Sequence, residues 1–126
     1  TGGAFMDKIL EQSLLYDFYG ELLTSHQKEI YEDFVLNDLS LGEIAQVHEI
    51  SRQGVHDIIR RCNRQLAGYE EKLHLLERFL STREKVEEIR RTVKHMVEDP
   101  QKADWQQLVD DAKKIDRISD EILKEL

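Results

Sequence analysis

Residues 40–66 read SLGEIAQVHEISRQGVHDIIRRCNRQL and contain two predicted helix starts that lie eleven residues apart. Ser40 and Glu43 form a capping-box pattern, in which the serine oxygen accepts from one unpaired amide and the glutamate from another. Ser51 is a second N-cap candidate, since serine favours this position. Two short helices joined by a tight turn are the layout of a helix-turn-helix motif, whose second helix enters the major groove. We therefore predict this motif over the quoted stretch.

The second helix of the predicted motif separates into two arcs when its residues are placed about 100° apart. Apolar side chains share one arc: Val55, Ile58, Ile59, Cys62 and Leu66. Polar side chains share the other: Arg52, Gln53, His56, Arg60, Asn63 and Arg64. The pattern predicts that the apolar arc packs against a core and that the polar arc faces outward.

Four arginines and no lysine lie between Ser51 and Leu66. The planar guanidinium group suits both phosphate oxygens and the major-groove edge of guanine. A solvated face without a partner is the alternative interpretation, but the preceding cap and turn favour DNA contact. The predicted DNA-binding residues are Ser51, Arg52, Gln53, His56, Arg60, Arg61 and Arg64. We expect Arg52, Gln53 and His56 to lie nearest the base edges and the other arginines to hold phosphates.

Three segments carry a resemblance to known proteins: residues 23–30 read LTSHQKEI, residues 39–45 read LSLGEIA and residues 50–55 read ISRQGV. Together they resemble region 4 of bacterial sigma factors. A closer similarity is to the YlxM family, small helix-turn-helix proteins of Gram-positive bacteria, with residues 69–73 (YEEKL) as a further match. The similarity covers residues 6–80.

The resemblance implies an all-α fold, a sigma-region-4-like helix-turn-helix bundle with a C-terminal helical arm. The YlxM family further implies a genomic association with the signal recognition particle machinery and a regulatory role. We accordingly expect a DNA-binding, regulatory protein whose partner is double-stranded DNA. The alternative is a protein-interaction module that binds components of the signal recognition particle or of RNA polymerase.

Two residues depart from the pattern of such motifs. Many of these turns carry glycine just before the position of Ile50, whereas this chain has Glu49. A left-handed conformation there costs a non-glycine residue on the order of 1 kcal/mol. Asp57 lies at the edge of the predicted DNA-binding face and would repel phosphate unless it pairs with Arg60, Arg61 or a cytosine amino group. Both departures favour the protein-interaction alternative.

Apolar spacing predicts two helices before the motif. The first spans about Asp7 to Leu23, and a Thr24–Gln27 capping box begins the second, which Asn37 and Asp38 end. With the two helices of the motif this gives a predicted four-helix domain over residues 6–68.

Residues 69–126 are predicted to form a helical arm for packing or dimerisation. The recognition helix is expected to continue through Leu80, with either a new cap at Ser81 or one long helix beyond it. Asp99-Pro100 is expected to end that helix, and a last apolar stripe starts at Trp105. The arm helices should pack antiparallel, within one chain or across a homodimer whose recognition helices would meet major grooves about 34 Å apart.

Composition places further limits on the function. Of the 126 residues, 35% are charged and only one is proline, which indicates helices with solvated faces. The net charge of −8 argues against indiscriminate nucleic-acid binding, although residues 40–68 hold four bases against three acids. No apolar run approaches the roughly 18 residues of a membrane span, so no membrane partner is expected. The single cysteine, Cys62, cannot form an internal disulfide, and we expect a cytoplasmic protein.

Catalytic and metal-binding patterns are weak. Glu71 and His74 resemble half of a di-iron helix motif, but no other glutamate stands three residues before a histidine. The sequence has no glycine-rich phosphate loop and no nucleophile elbow. We therefore expect neither an enzyme nor a bound metal or cofactor.

Overall fold

The computed structural model describes residues 7–98 and 104–126, which form α-helices, one short 3₁₀ helix and no strand. In chain order the α-helices are α1 (Lys8–Tyr19), α2 (Ser25–Val35), α3 (Leu41–His48), α4 (Arg52–Leu73), α5 (Leu75–Glu98) and α6 (Trp105–Glu125). The 3₁₀ helix, Gly20–Leu22, follows α1. The chain divides into two compact units, the first ending at Leu76 and the second starting at Glu77. The predicted all-α fold is confirmed.

Local side-chain caps begin three of these helices where the sequence predicts them. Thr24 Oγ1 accepts from the Gln27 amide at 3.2 Å, and Gln27 Oε1 accepts from the Thr24 amide at 3.0 Å. Ser40 and Glu43 exchange the same two hydrogen bonds, both at 3.1 Å. Ser51 Oγ caps α4 by accepting from the amide three residues later at 2.9 Å. Each cap satisfies amides that the helix itself leaves unpaired.

Helix α4 is the centre of the first unit, since α1, α2 and α3 all pack against it. Its predicted apolar arc is buried, apart from Ile58, which is only partly covered. The core residues that α4 contributes are Val55, Ile59, Cys62 and Leu66. The surrounding helices contribute Leu15, Tyr19, Ile30, Tyr31, Val35 and Ile44. Each fully buried aliphatic side chain contributes about 1.5–3 kcal/mol, so this cluster holds the helices around α4.

The turn between α3 and α4 is a Schellman motif. The Ile50 amide donates to the Ala45 carbonyl at 3.1 Å, and the Glu49 amide donates to the Gln46 carbonyl at 3.4 Å. Glu49 has φ 55° and ψ 42°, the left-handed conformation that glycine favours. Glutamate in place of glycine therefore leaves the shape of the turn intact. The cost is conformational strain in the backbone of Glu49.

Replacing Glu49 with glycine is expected to raise the free energy of unfolding by about 0.5–1 kcal/mol, because glycine has no β-carbon to clash in the left-handed region. Urea denaturation measures the change. Gln46→Gly is a matched control, since this exposed residue lies inside α3 and its replacement should lower stability by about 1 kcal/mol. A Glu49→Gly variant no more stable than the parent protein would contradict the strain assigned to this turn.

Helix α4 ends at Leu73, so the prediction of a continuous recognition helix through Leu80 is wrong. His74 adopts a left-handed conformation with φ 56°, and its amide donates to the Glu70 carbonyl at 2.8 Å. Helix α5 begins at the next residue and continues without interruption past Ser81, which therefore caps nothing.

A buried tyrosine explains this break. The Tyr19 hydroxyl, in a side chain only 1% exposed, donates to Glu70 Oε1 at 2.5 Å and accepts from the Leu75 amide at 3.1 Å. The same Glu70 oxygen accepts from the Leu76 amide at 3.0 Å. Burial, and then the hydrogen bond to Glu70, raises the pKa of Tyr19. The two groups thus pair the first amides of α5 and stabilise a new helix start.

Removing this hydroxyl with Tyr19→Phe is expected to lower the free energy of unfolding by about 1–2 kcal/mol, since Glu70 and the Leu75 amide both lose a partner. Tyr69→Phe is the matched control. Tyr69 lies 6.0 Å from the Tyr19 ring, centroid to centroid, and its hydroxyl bonds no residue that the structure describes. Equal urea midpoints for the two variants would contradict the role given to Tyr19.

The second unit is a hairpin of α5 and α6. Among the described residues, side chains of opposite type meet between the helices at Lys85–Glu125, Lys114–Glu88 and His95–Asp111, the last an ion pair when the histidine is protonated. Their order rises along α5 and falls along α6, so the two helices run antiparallel within one chain. The hydrogen bond from Lys85 lowers the pKa of Glu125. Thr92 and Ile118 are the buried side chains among the described residues of this unit.

Helix α6 begins after Asp104, whose Oδ1 accepts from the Gln107 amide at 2.7 Å. Its start at Trp105 agrees with the predicted last stripe. The predicted stop at Asp99-Pro100 lies outside the described residues. Across the described part of the chain, every helix is too short or too polar to cross a bilayer.

Candidate nucleic-acid interface

Every predicted DNA-binding residue lies on the surface of the first unit. We define the α4 polar stripe as Arg52, Gln53, His56, Arg60 and Arg64. Its two ends are twelve positions apart in the sequence, a distance of about 18 Å along the helix axis. Arg61 lies about 60° around the helix from the nearest edge of the stripe and flanks it. Ser51 stands at the start of α4, where its side-chain oxygen is engaged in capping.

The arginines of this surface are available for a ligand. Within residues 7–98 and 104–126, no carboxylate lies within ion-pair distance of Arg52, Arg60, Arg61 or Arg64. Two arginines of α5 are engaged instead, in the Arg83–Glu87 pair at 3.4 Å and the Arg91–Glu84 pair at 3.5 Å. Four unpaired guanidinium groups on one helix create a local positive potential that extends about 10 Å at ordinary salt.

Asp57 brings a negative charge into the same surface. Its Oδ1 accepts from Gln53 Nε2 at 3.0 Å and lies 3.8 Å from His56 Nδ1. The pairing with Arg60 or Arg61 that the sequence suggested is absent between these described residues. Because the side chain of Asp57 is 61% exposed, its carboxylate remains accessible to a ligand.

Asn63 does not face outward with the rest of the predicted polar arc. Its Oδ1 accepts from the Tyr31 hydroxyl of α2 at 2.5 Å, so the side chain turns toward the bundle rather than toward solvent. Burial raises the pKa of Tyr31, which keeps the donor protonated. A second contact from α2 lies nearby, since Gln27 Nε2 donates to Gln65 Oε1 at 2.8 Å. Helix α2 therefore holds one side of α4, and the polar surface of α4 that is free to contact a ligand is narrower than the sequence predicts.

A shallow depression of about 280 Å³ lies where α3 and α4 begin, lined by Leu41, Arg52, Gln53 and His56. Leu41 adds an apolar wall to three polar groups. Leu41 was not among the site residues predicted from the sequence. The sequence did contain a signal for Leu41, because this residue follows the serine that caps α3. A tight turn after so short a helix brings the start of α3 close to the start of α4.

The end of α3 is anchored to α2 by an acid–histidine pair. His48 Nε2 lies 2.8 Å from Asp33 Oδ2, and both side chains are largely buried. This hydrogen bond, with a smaller contribution from Asn37, lowers the pKa of Asp33. The stabilisation is therefore present above the ordinary aspartate pKa and is lost as the pH falls through the lowered value. The pair fixes the helix that precedes the turn and hence the direction of α4.

Cys62 lies in the core, as its arc predicts. Burial raises the pKa of its thiol to about 11, so the thiol is protonated near neutral pH. A protonated, buried thiol is a poor nucleophile and a poor metal ligand. Cys62 therefore serves the packing of α4.

Comparison with known proteins places this geometry in a family. A family model described as "Putative helix-turn-helix protein, YlxM / p13 like" matches residues 6–112. A UPF0122 protein of Caldanaerobacter subterraneus subsp. tengcongensis is 48% identical over 87 residues, covering 69% of this chain and 74% of the relative. YlxM of Bacillus subtilis is 47% identical over 79 residues, covering 63% and 72%. A relative from Oceanobacillus iheyensis is 42% identical over 99 residues, covering 77% and 94%.

Proposed function

The chain belongs to the YlxM / p13-like helix-turn-helix family, and we propose that it is a regulatory protein of the bacterial cytoplasm that binds double-stranded DNA through the α4 polar stripe. One observation carries the proposal. The stripe and its flanking Arg61 present four exposed arginines that lack ion-pair partners among the described residues. Guanidinium groups match phosphate oxygens and guanine edges, so this surface suits a nucleic-acid duplex.

The length of the stripe divides its residues between two roles. The major groove is about 12 Å wide, whereas the stripe extends about 18 Å along α4. The first turn of α4 would therefore enter the groove and place Arg52, Gln53 and His56 near base edges. Arg60 and Arg64 would lie over the sugar–phosphate backbone, with Arg61 on their flank.

The charge distribution favours selective binding. The whole chain carries a net charge of −8, whereas residues 51–66 hold four arginines and one aspartate. The net negative charge of the chain repels a duplex, whereas the excess of arginine in residues 51–66 attracts it. A homodimer would double the contact by placing two stripes in major grooves about 34 Å apart.

A second candidate function is the recognition of a protein by the same surface. The observation that favours it is Asp57, an exposed carboxylate at the edge of the α4 polar stripe. The resemblance to YlxM proteins points to components of the signal recognition particle as partners, and RNA polymerase is the other candidate. Titration of labelled duplex DNA, signal recognition particle RNA and its protein component at near-physiological salt ranks these ligands.

The salt dependence of duplex binding tests the phosphate contacts. If three phosphates are neutralised per subunit, the logarithm of affinity should fall against the logarithm of salt with a slope of roughly −2.7. Arg60→Ala/Arg64→Ala removes two of these contacts, so the slope should flatten to roughly −0.9. Fluorescence anisotropy of a labelled duplex between about 50 and 200 mM salt measures both slopes.

A control variant separates contact from net charge. Arg83→Ala/Arg117→Ala removes the same charge from exposed positions in the second unit and should leave the slope unchanged. If Arg60→Ala/Arg64→Ala also leaves the slope unchanged, these two arginines do not hold phosphates.

A further inference from the structure

We propose that Asp57 determines sequence specificity: together with Gln53 it accepts a hydrogen bond from the exocyclic amino group of adenine or cytosine, and it repels phosphate when the register is wrong. The inference rests on the proposed DNA-binding function and concerns how the α4 polar stripe selects its site. The contact between Gln53 and Asp57, at 3.0 Å, is the observation that supports it.

The chemistry of this contact fixes the orientation of the Gln53 amide. An ionised carboxylate has acceptors and no donor, so the amide nitrogen of Gln53 must supply the hydrogen. One N–H of Gln53 is thereby committed to Asp57 Oδ1. The carbonyl oxygen of Gln53 and the second oxygen of Asp57 are left as neighbouring acceptors, beside the second N–H of Gln53, which stays free as a donor.

Two acceptors select bases by a simple rule. Adenine N6 and cytosine N4 are the amino donors of the major groove, whereas guanine O6 and N7 and thymine O4 are acceptors. The oxygens of Gln53 and Asp57 therefore favour adenine or cytosine at the position they face, and the Asp57 carboxylate, which has no donor, repels the acceptor edges of guanine and thymine. Arg52 stands next to this pair and carries only donors, which match guanine. The start of α4 should therefore select a guanine, contacted by Arg52, next to an adenine or cytosine, contacted by Gln53 and Asp57.

The charge of Asp57 also acts against non-specific binding. Arg60 and Arg61 stand three and four residues after it, at the spacing where helical ion pairs form, yet neither lies within ion-pair distance. No arginine therefore neutralises the carboxylate, whose one nearby basic group is His56 Nδ1 at 3.8 Å among the described residues. Against a phosphate that charge is repulsive, while against an amino group the hydrogen bond offsets the loss of hydration. Asp57 should lower affinity for random duplexes more than affinity for the preferred site.

Selection of duplexes from a random library, with the full chain as bait, tests the inference and requires no known target sequence. The parent protein should enrich a motif with one position restricted to adenine or cytosine beside a guanine. Asp57→Asn should relax that position and raise affinity for a random duplex about fivefold, the effect of removing one unit charge about 4 Å from a phosphate in water. Affinities of the selected and random duplexes are measured at one salt concentration.

The matched control is Glu71→Gln, which removes the same charge from an exposed residue of α4 about 21 Å from Asp57 along the helix. It should leave both the motif and the affinity ratio unchanged. If Asp57→Asn still binds duplexes and enriches the same motif with the same ratio, Asp57 is not a specificity residue. If the parent protein enriches no duplex and binds none in a salt-dependent manner, the proposed DNA-binding function fails, and this inference fails with it.

Discussion

The structure of the first unit depends on the burial of one face of α4. Helices α1, α2 and α3 all pack against this helix, and they cover Val55, Ile59, Cys62 and Leu66. A helix that is covered on one side can contact a ligand only through its opposite side. The arginines are spaced so that they fall on that remaining side, which ties the exposure of the basic surface directly to the packing of the core.

Stability and presentation compete at the ends of the helices. Glu49 and His74 both adopt left-handed conformations that disfavour residues with a β-carbon. At Glu49 the conformation makes the tight turn that brings the starts of α3 and α4 together around Leu41. At His74 it ends α4, where Tyr19 and Glu70 pair the amides of the next helix. In both places hydrogen bonds offset a local backbone cost.

Local interactions explain which features the sequence could predict. The caps at Thr24, Ser40 and Ser51 depend on residues three positions away, so each was visible as a short pattern. The buried arc of α4 followed from helical periodicity in the same way. The all-α fold and the exposure of the candidate DNA-binding residues were therefore predictable, although the binding roles of those residues remain predictions.

Contacts distant in sequence explain what was missed. The break at His74 depends on Tyr19, which is 51 residues from Glu70, and the inward turn of Asn63 depends on Tyr31, 32 residues away. No periodicity reports such contacts. The partner of Asp57 was also missed, because an i to i+4 pair with Gln53 competes with arginines at equally good spacing. Side-chain geometry decides which of several neighbours a surface carboxylate bonds, and sequence spacing alone does not give that geometry.

The most direct test of DNA recognition by α4 is an NMR titration of the isotope-labelled chain with a short duplex, observing backbone amides and arginine Nε–H groups. We expect the largest changes at Arg52, Gln53, His56, Arg60 and Arg64, with smaller changes at Leu41 and none across α6. Changes confined to α5 and α6, with the signals of the α4 polar stripe unmoved, would contradict recognition by this helix.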